Sequence, residues 1–281
     1  MSELFRSILV AVDQYRGGAH PREKAIALAQ RLGASLRIVY AINLEDIKVL
    51  APGPPFGAIR KRPFRRTAQE AQLAAQGQEE LEAFAAACER ESVELTGGVL
   101  VGPSEVLWAE EARSCDLTTI VPVERDFGLF ARWFGSMFWR IAKRSGRPVL
   151  ISRQDGLPKE RMVLLYCNTV ASARALPWVA GFCSALGLSL TIYASKGVSR
   201  NYAHADEYKT FLSSHEIAAT HEDQGALEVL SNEARRPGSK IVGKSMLALD
   251  GGFSSGLWFR RPCRLVERLI RTSPHSILLC P

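Results

Sequence analysis

The residues with the clearest capacity for chemistry lie between positions 121 and 153, in a segment that begins and ends as a buried strand. In α/β proteins the loop between a strand and the next helix usually binds phosphate, because free backbone N–H groups and the helix dipole favour an anion there. Gly135 and Ser136 form one small pair at the start of such a helix. The rest of the loop carries bulky aromatic residues and arginines instead of glycine. The pair is either only the N-cap of this helix or a remaining phosphate contact, in a loop that is no longer shaped around phosphate.

No motif in the chain assembles a catalytic centre. There is no Ser/His/Asp or Cys/His set, no paired carboxylates and no Walker-type loop. The six cysteines are scattered without a C-x-x-C pair, which is typical of buried thiols in a reducing cytosol. The five histidines have no metal-ligand spacing with them. We therefore expect neither an enzyme nor a metal protein, and slow ATP hydrolysis would be the only credible activity.

Length and charge limit the classes of partner. The 281 residues are 47% hydrophobic and 23% charged with a net charge of +7, as in a globular protein of two domains. The basic run "RKRPFRR" (60–66) is interpreted as a solvated loop, so nucleic acid is not an expected partner. Residues 175–195 carry no charge, but Pro177 and a break at Gly187 favour a helix followed by a strand over a membrane span. The start has no signal-peptide pattern, which predicts a cytoplasmic protein.

Strands and helices alternate along the first half. Residues 8–12 are continuously apolar, as in a strand buried on both faces, and Gly33 ends the helix that Pro21 opens. Thr67 to Glu70 form a capping box for a long helix, with four apolar residues expected to be buried: Leu73, Leu81, Phe84 and Cys88. Further strands are expected at 36–41, 93–102, 117–123 and 148–152, with helices at 104–113 and 136–145.

Three blocks recur in the same order in the second half. They are "SILVAVD" (7–13) with "MVLLYCN" (162–168), "ALAQRLGASLRIVYA" (27–41) with "GFCSALGLSLTIYA" (181–194), and "RPVLISR" (147–153) with "HSILLCP" (275–281). This repetition predicts two tandem domains, 1–153 and 160–281. Each is expected to be an α/β, Rossmann-like domain with a five-stranded parallel sheet flanked by helices. The short apolar runs 149–151 and 277–279 are expected to pair in antiparallel fashion, because unpaired apolar edges favour aggregation.

Several stretches of the first half resemble the universal stress protein family. They are "ILVAVDQ", "ALAQRLGASLRIVYA", "VLVGPSEVLWAEEARSCDLTTIV" and "GS…KRSGRPVLI". The second half looks like a more diverged copy, so the whole is similar to tandem universal stress proteins. The resemblance implies a cytoplasmic stress-response protein that acts by binding a protein partner or a ligand. It leaves open whether two chains form a homodimer.

The resemblance also implies where a nucleotide would bind. In nucleotide-binding members an Asp ends the first strand and contacts the nucleoside, and a G-x2-G-x9-G-[S/T] run wraps the phosphates. On that basis the site residues are Asp13, Ala41, Ile120, Gly135 and Ser136. Val121 and Glu124 stand where the first two glycines are expected, and Asn168 replaces the aspartate in the second half. Any ATP or AMP is therefore expected to bind weakly, in a degenerate site.

Three functions remain open at this stage. The first is a non-catalytic stress protein that acts by binding partners. The second is an ATP or AMP sensor that uses the first half. The third is a binder of apolar ligands or membrane surfaces through the aromatic segments 127–139 and 253–259. These segments either fill the vacated nucleotide clefts or present an aromatic–arginine patch to a partner, and of Phe138 and Trp139 only one is expected to be fully buried.

Overall fold

The structure is a computed structural model that describes most of the first half and parts of the second. The described residues are 4–43, 63–123, 126, 136–153, 161–166, 170–194, 207–214, 219–222, 246–249, 254–255, 261–262, 264–273 and 275–281.

A mostly parallel sheet runs through the described part of the chain. Its ten strands lie in the order β3-β2-β1-β4-β5-β12-β9-β6-β7-β8, and every neighbouring pair except β5–β12 is parallel. The strands are β1 (Ser7–Asp13), β2 (Ser35–Ile42), β3 (Leu95–Val101), β4 (Leu117–Ile120), β5 (Val149–Ile151), β6 (Arg161–Tyr166), β7 (Ser189–Ala194), β8 (Ala219–Glu222), β9 (Met246–Leu249) and β12 (Ile277–Leu279). A two-stranded ribbon, β10 (Ser254–Ser255) with β11 (Arg261–Pro262), is separate. The α/β fold with a mostly parallel sheet is as expected.

Helices cover both faces of this sheet. Those described are α1 (Ala19–Leu32), α2 (Pro63–Arg90), α3 (Ser104–Glu111), α4 (Met137–Ser145), α5 (Val170–Leu186), α6 (Glu207–Ser214) and α7 (Arg264–Thr272). In α1 the buried residues recur at helical spacing, and Gly33 stops the helix in the left-handed conformation with φ 65°. None of the described helices is long and apolar enough to cross a membrane.

The two strands at the centre of the sheet are antiparallel. Ile151 pairs with Ile277, Leu150 with Leu278 and Val149 with Leu279, which confirms the expected pairing. All six side chains are buried. The two runs thereby cover each other's hydrogen-bonding edges, and the sheet continues without interruption from β3 to β8.

Two apolar cores lie on opposite faces of the sheet. One packs α1, α2 and α5 against it and reaches across the centre from Leu150 to Leu278. There Phe5 contacts two aromatic rings of α5, with centroids 5.9 Å from Trp178 and 5.5 Å from Phe182. The other core packs α3, α4 and α7. Since both cores contain residues from both ends of the chain, burial of apolar surface joins the two halves.

Two local expectations need correction. The long helix α2 begins at Pro63, so Thr67 lies inside it and is not its cap; proline is well suited to a first turn because its missing N–H has no partner there anyway. β4 ends at Ile120, earlier than expected. Phe138 is fully buried and Trp139 is 6% exposed, so only one of the two is fully buried, as expected. In α2, Phe84 and Cys88 are buried as expected, whereas Leu73 and Leu81 are only partly buried.

Candidate functional site

The residues expected to bind a nucleotide end neighbouring strands of the sheet. Asp13 is the last residue of β1 and lies beside Ala41 of β2, while Ile120 ends β4 on the other side of β1. The chain leaves β1 for β2 on one side and later returns to β4 on the other. At such a reversal the carboxyl ends of parallel strands leave a crevice in which α/β proteins bind ligands. The strand topology thus brings these three residues together.

Their burial differs from that of an open crevice. Asp13 is 4% exposed, and Ala41 and Ile120 are fully buried in the core under α3 and α4. Ser136 immediately precedes α4 with extended backbone and is also fully buried. Gly135 lies outside the described residues, as do Glu124, Arg125 and most of the aromatic segments 127–139 and 253–259, including Trp133 and Trp258. What lies at this edge is therefore decided by residues that the sequence patterns did not single out.

The carboxylate of Asp13 is occupied by its own chain. Its Oδ1 accepts the backbone N–H of Tyr15 at 2.9 Å, and its Oδ2 forms an ion pair with Nη1 of Arg16. The other terminal nitrogen of Arg16, Nη2, pairs with Oδ1 of Asp126. Arg16 thus joins Asp13, at the carboxyl edge of β1, to Asp126, which follows β4 and lies 110 residues beyond Arg16 in the sequence.

Local turns present each of these groups to the others. The N–H of Arg16 donates to the carbonyl of Asp13 at 3.0 Å, which closes a tight turn after β1. Asp126 closes a second turn, because its N–H donates to the carbonyl of Val123 at 3.0 Å and its Oδ2 accepts the N–H of Val123 at 2.9 Å. Asp residues favour such turns because the side chain can satisfy a nearby backbone donor.

The indole of Trp108 lines the remaining side of Arg16. The guanidinium carbon lies 5.2 Å from the ring centroid, within the range of a cation–π interaction. Trp108 is fully buried in α3, and its Nε1–H donates to the carbonyl of Val39 in β2 at 3.3 Å. The ring is therefore held in place by the sheet, and Arg16 is only 4% exposed.

Helix α2 holds the turn from the opposite side. Glu80 accepts the N–H of Gly18 at 3.2 Å and lies 3.6 Å from Arg22. Tyr40 of β2 packs beneath, and burial raises the pKa of its hydroxyl to about 12, with smaller contributions from the charges of Asp13 and Glu80. The turn that carries Arg16 is therefore fixed at both of its ends.

A second arginine connects this edge to the C-terminal part of the chain. The Nη2 of Arg153, just after β5, donates to the carbonyl of Ile270 in α7, and its backbone N–H donates to the hydroxyl of Ser276 at 3.0 Å. Lys24 of α1 donates to the carbonyl of Arg153. Burial lowers the pKa of Arg153, and the charge of Asp126 opposes that effect. The negative charge of Asp126 therefore acts on Arg153 as well as on Arg16, with which it forms an ion pair.

The chemistry of this arrangement differs from that of a phosphate cradle. Two carboxylates point into the crevice and hold one guanidinium between them, whereas a triphosphate would need backbone N–H groups or free cations there. Within the described ranges no group of three or more His, Cys, Asp or Glu side chains could hold a metal ion. The ion pair between Asp13 and Arg16 could have been predicted from the sequence, because Arg16 follows Asp13 by three residues at the end of a strand.

Comparison with known proteins gives the family of the chain. The model of the universal stress protein family matches residues 4–153, which is more than half of the chain, and the chain therefore belongs to that family of stress-response proteins. No curated protein matches it.

Solved structures share its fold over nearly its whole length. A universal stress protein from Archaeoglobus fulgidus DSM 4304 superposes with a TM-score of 0.66 at 13% identity, over 99% of this chain and 98% of that one. A putative universal stress protein from Pseudomonas aeruginosa UCBPP-PA14 gives a TM-score of 0.55 at 13% identity, covering 98% and 92% of the two chains. At these identities the similarity shows the fold, and the site must be judged from its own residues.

Proposed function

We propose that this chain is a cytoplasmic, non-enzymatic stress protein built of two tandem domains, residues 1–153 and 160–281, which acts by binding a protein partner. Its nucleotide site in the first domain is degenerate. The observation that carries the proposal is the position of Arg16, whose guanidinium lies between Asp13 and Asp126 in the crevice at the end of β1. A nucleoside would have to displace this buried ion pair before it could reach Asp13.

The energetic cost of that displacement is large compared with what a nucleotide gains. Separating one partner from a buried ion pair costs about 3–5 kcal/mol. The two glycines that would bring backbone N–H groups to the phosphates are replaced by Val121 and Glu124, with a further loss of about 1.5–3 kcal/mol for each missing contact. A dissociation constant for ATP of about 0.1 mM or weaker is expected from these losses.

The strand order supports the tandem arrangement. β1 lies between β2 and β4, and β6 lies in the same way between β7 and β9, with β5 and β12 completing the two sets at the centre of the sheet. The repeated sequence blocks form β1 and β6, β2 and β7, and β5 and β12. The crevice of the first domain is filled by Arg16, and the sequence contains no catalytic motif. Both observations favour a function in which the protein surface binds a partner.

Calorimetric titration of the purified chain with MgATP tests the proposal. Binding weaker than about 0.1 mM is expected, and Asp13→Ala should leave the signal unchanged. Low-micromolar binding that Asp13→Ala abolishes would instead establish the nucleotide-sensor alternative.

A further inference from the structure

The crevice at the end of β1 contains the groups that recognise a guanidinium ion. We call Asp13, Arg16, Trp108 and Asp126 the Arg16 cluster. The side chains of Arg16, Asp13 and Asp126 are 3%, 5% and 3% exposed, so the ion pairs are shielded from solvent. Each terminal nitrogen of Arg16 has its own carboxylate, and the plane of the indole completes the enclosure.

This combination fits one class of cation. A guanidinium is planar, carries donors in a fixed fork, stacks on aromatic faces and is weakly hydrated, so it can be buried between two carboxylates and a ring. An ammonium group is a compact and strongly hydrated point charge, and it cannot present the same fork. A phosphate would be repelled by both carboxylates.

The geometry of the turn makes Arg16 a ligand supplied by the chain itself. Arg16 follows Asp13 by three residues, and the turn is closed by the Arg16 N–H to Asp13 carbonyl bond of 3.0 Å. Gly18, two residues further on, has a φ of 116°, and its N–H donates to Glu80. A ligand tethered this closely has an effective concentration in the millimolar range or above, so it competes well with free ligands.

We propose that the crevice of the first half is a guanidinium-binding site that Arg16 occupies as a tethered ligand. With the Arg16 side chain removed, the site takes a free alkylguanidinium in preference to a nucleotide. The inference concerns the crevice of the proposed function and rests on it, since both require that the site no longer selects phosphate.

The test is chemical rescue of Arg16→Ala. Thermal unfolding is followed by circular dichroism while ethylguanidinium chloride is raised to about 20 mM, with sodium chloride keeping the ionic strength constant. For a site with millimolar affinity, a saturable rise in the Tm of Arg16→Ala by about 3 °C or more is expected. The wild-type chain should show no such rise, because its site is filled.

Arg22→Ala is the matched control. Arg22 also faces one carboxylate and one ring, at 3.6 Å from Glu80 and 5.5 Å from the centroid of Phe84, but its side chain is 18% exposed. Because it lacks the second carboxylate, its removal should create no guanidinium-dependent rise. A rise of equal size in Arg22→Ala would overturn the proposal, since the effect would then not belong to the Arg16 cluster.

Further outcomes decide the question if Arg16→Ala folds poorly. Recovery of its folded signal on adding ethylguanidinium supports the proposal, and failure to recover contradicts it.

Arg16→Lys is a second variant, which keeps the positive charge and the aliphatic stem of the side chain. Its Tm should be lower than that of the wild type, and an equal Tm would refute the requirement for a planar guanidinium. A larger rise with MgATP than with ethylguanidinium in Arg16→Ala would overturn the inference. Tight ATP binding to the wild type would contradict the proposed function, whereas weak ATP binding together with no effect of ethylguanidinium on Arg16→Ala would contradict this inference alone.

Discussion

Replacing Gly97 with alanine should destabilise the chain far more than the same change at the adjacent Gly98. Gly97 lies in the edge strand β3 and pairs with Ile38 of β2. Its φ is 137°, and a Cβ built on it would lie 1.8 Å from the carbonyl oxygen of Ile38 and 2.8 Å from the carbonyl carbon. Gly98 has nothing within 4 Å of the corresponding position. The two glycines thus differ in their surroundings while sharing one strand.

The magnitude follows from two terms. A side chain in this backbone conformation costs about 1–3 kcal/mol. The clash is with backbone, so β3 must also move away from β2, and each ladder hydrogen bond lost costs about 1 kcal/mol. For Gly97→Ala we expect a loss of about 3–5 kcal/mol in the free energy of unfolding. For Gly98→Ala, which lacks a clash and a positive φ, we expect a change between zero and a gain of about 1 kcal/mol.

Urea unfolding measured by circular dichroism checks this prediction. The midpoint for Gly97→Ala should fall while the slope of the transition stays the same, because the surface exposed on unfolding is unchanged. The midpoint for Gly98→Ala should stay the same or rise. Equal midpoints for the two variants would refute the reasoning, since they would mean that the approach of Ile38 does not constrain position 97.

Other consequences of the packing can be measured in the same way. Phe5→Ala should lower the free energy of unfolding by about 3–5 kcal/mol, because Phe5 is 1% exposed and contacts two rings of α5. Leu4→Ala should lower it by less than about 0.5 kcal/mol, because Leu4 is 42% exposed. The raised pKa of Tyr40, about 12 against an ordinary 10.0, means that the folded state holds its proton more tightly. The contribution of Tyr40 to the free energy of unfolding should therefore be fully present below pH 10 and decrease towards pH 12, by at most about 1.4 kcal/mol per pH unit. In urea titrations at different pH values, Tyr40→Phe should abolish this contribution to the decrease. Burial raises the pKa of the Cys183 thiol to about 12. At pH 8 this thiol should therefore resist iodoacetamide in the native chain and react with it in urea. Rapid labelling of Cys183 in the native chain, detected by mass spectrometry, would contradict its burial.

Elements of this fold were predictable wherever neighbouring residues alone select a structure. The apolar run in β1 and the stop of α1 at Gly33 depend on local burial pattern and backbone freedom, and both occur as expected. The start of α2 was missed because two helix-start signals compete there, the proline at 63 and the Thr67 box. The local sequence does not show which of the two signals starts the helix, because tertiary packing can stabilise helical residues ahead of the Thr67 box.

The type of fold and the aspartate at the end of β1 follow from local sequence patterns and from the repeated blocks. The sequence also predicted, through the missing glycines, that a nucleotide binds weakly. Only the tertiary structure decided what occupies the crevice instead. Arg16 looks like an ordinary loop arginine in the sequence, and it becomes a buried ion-pair partner only because the parallel strands β1 and β4 bring Asp126 to the same edge and α3 supplies Trp108. The contacts of Arg16 with Asp126 and Trp108 join residues far apart in the chain, and no local spacing encodes such contacts.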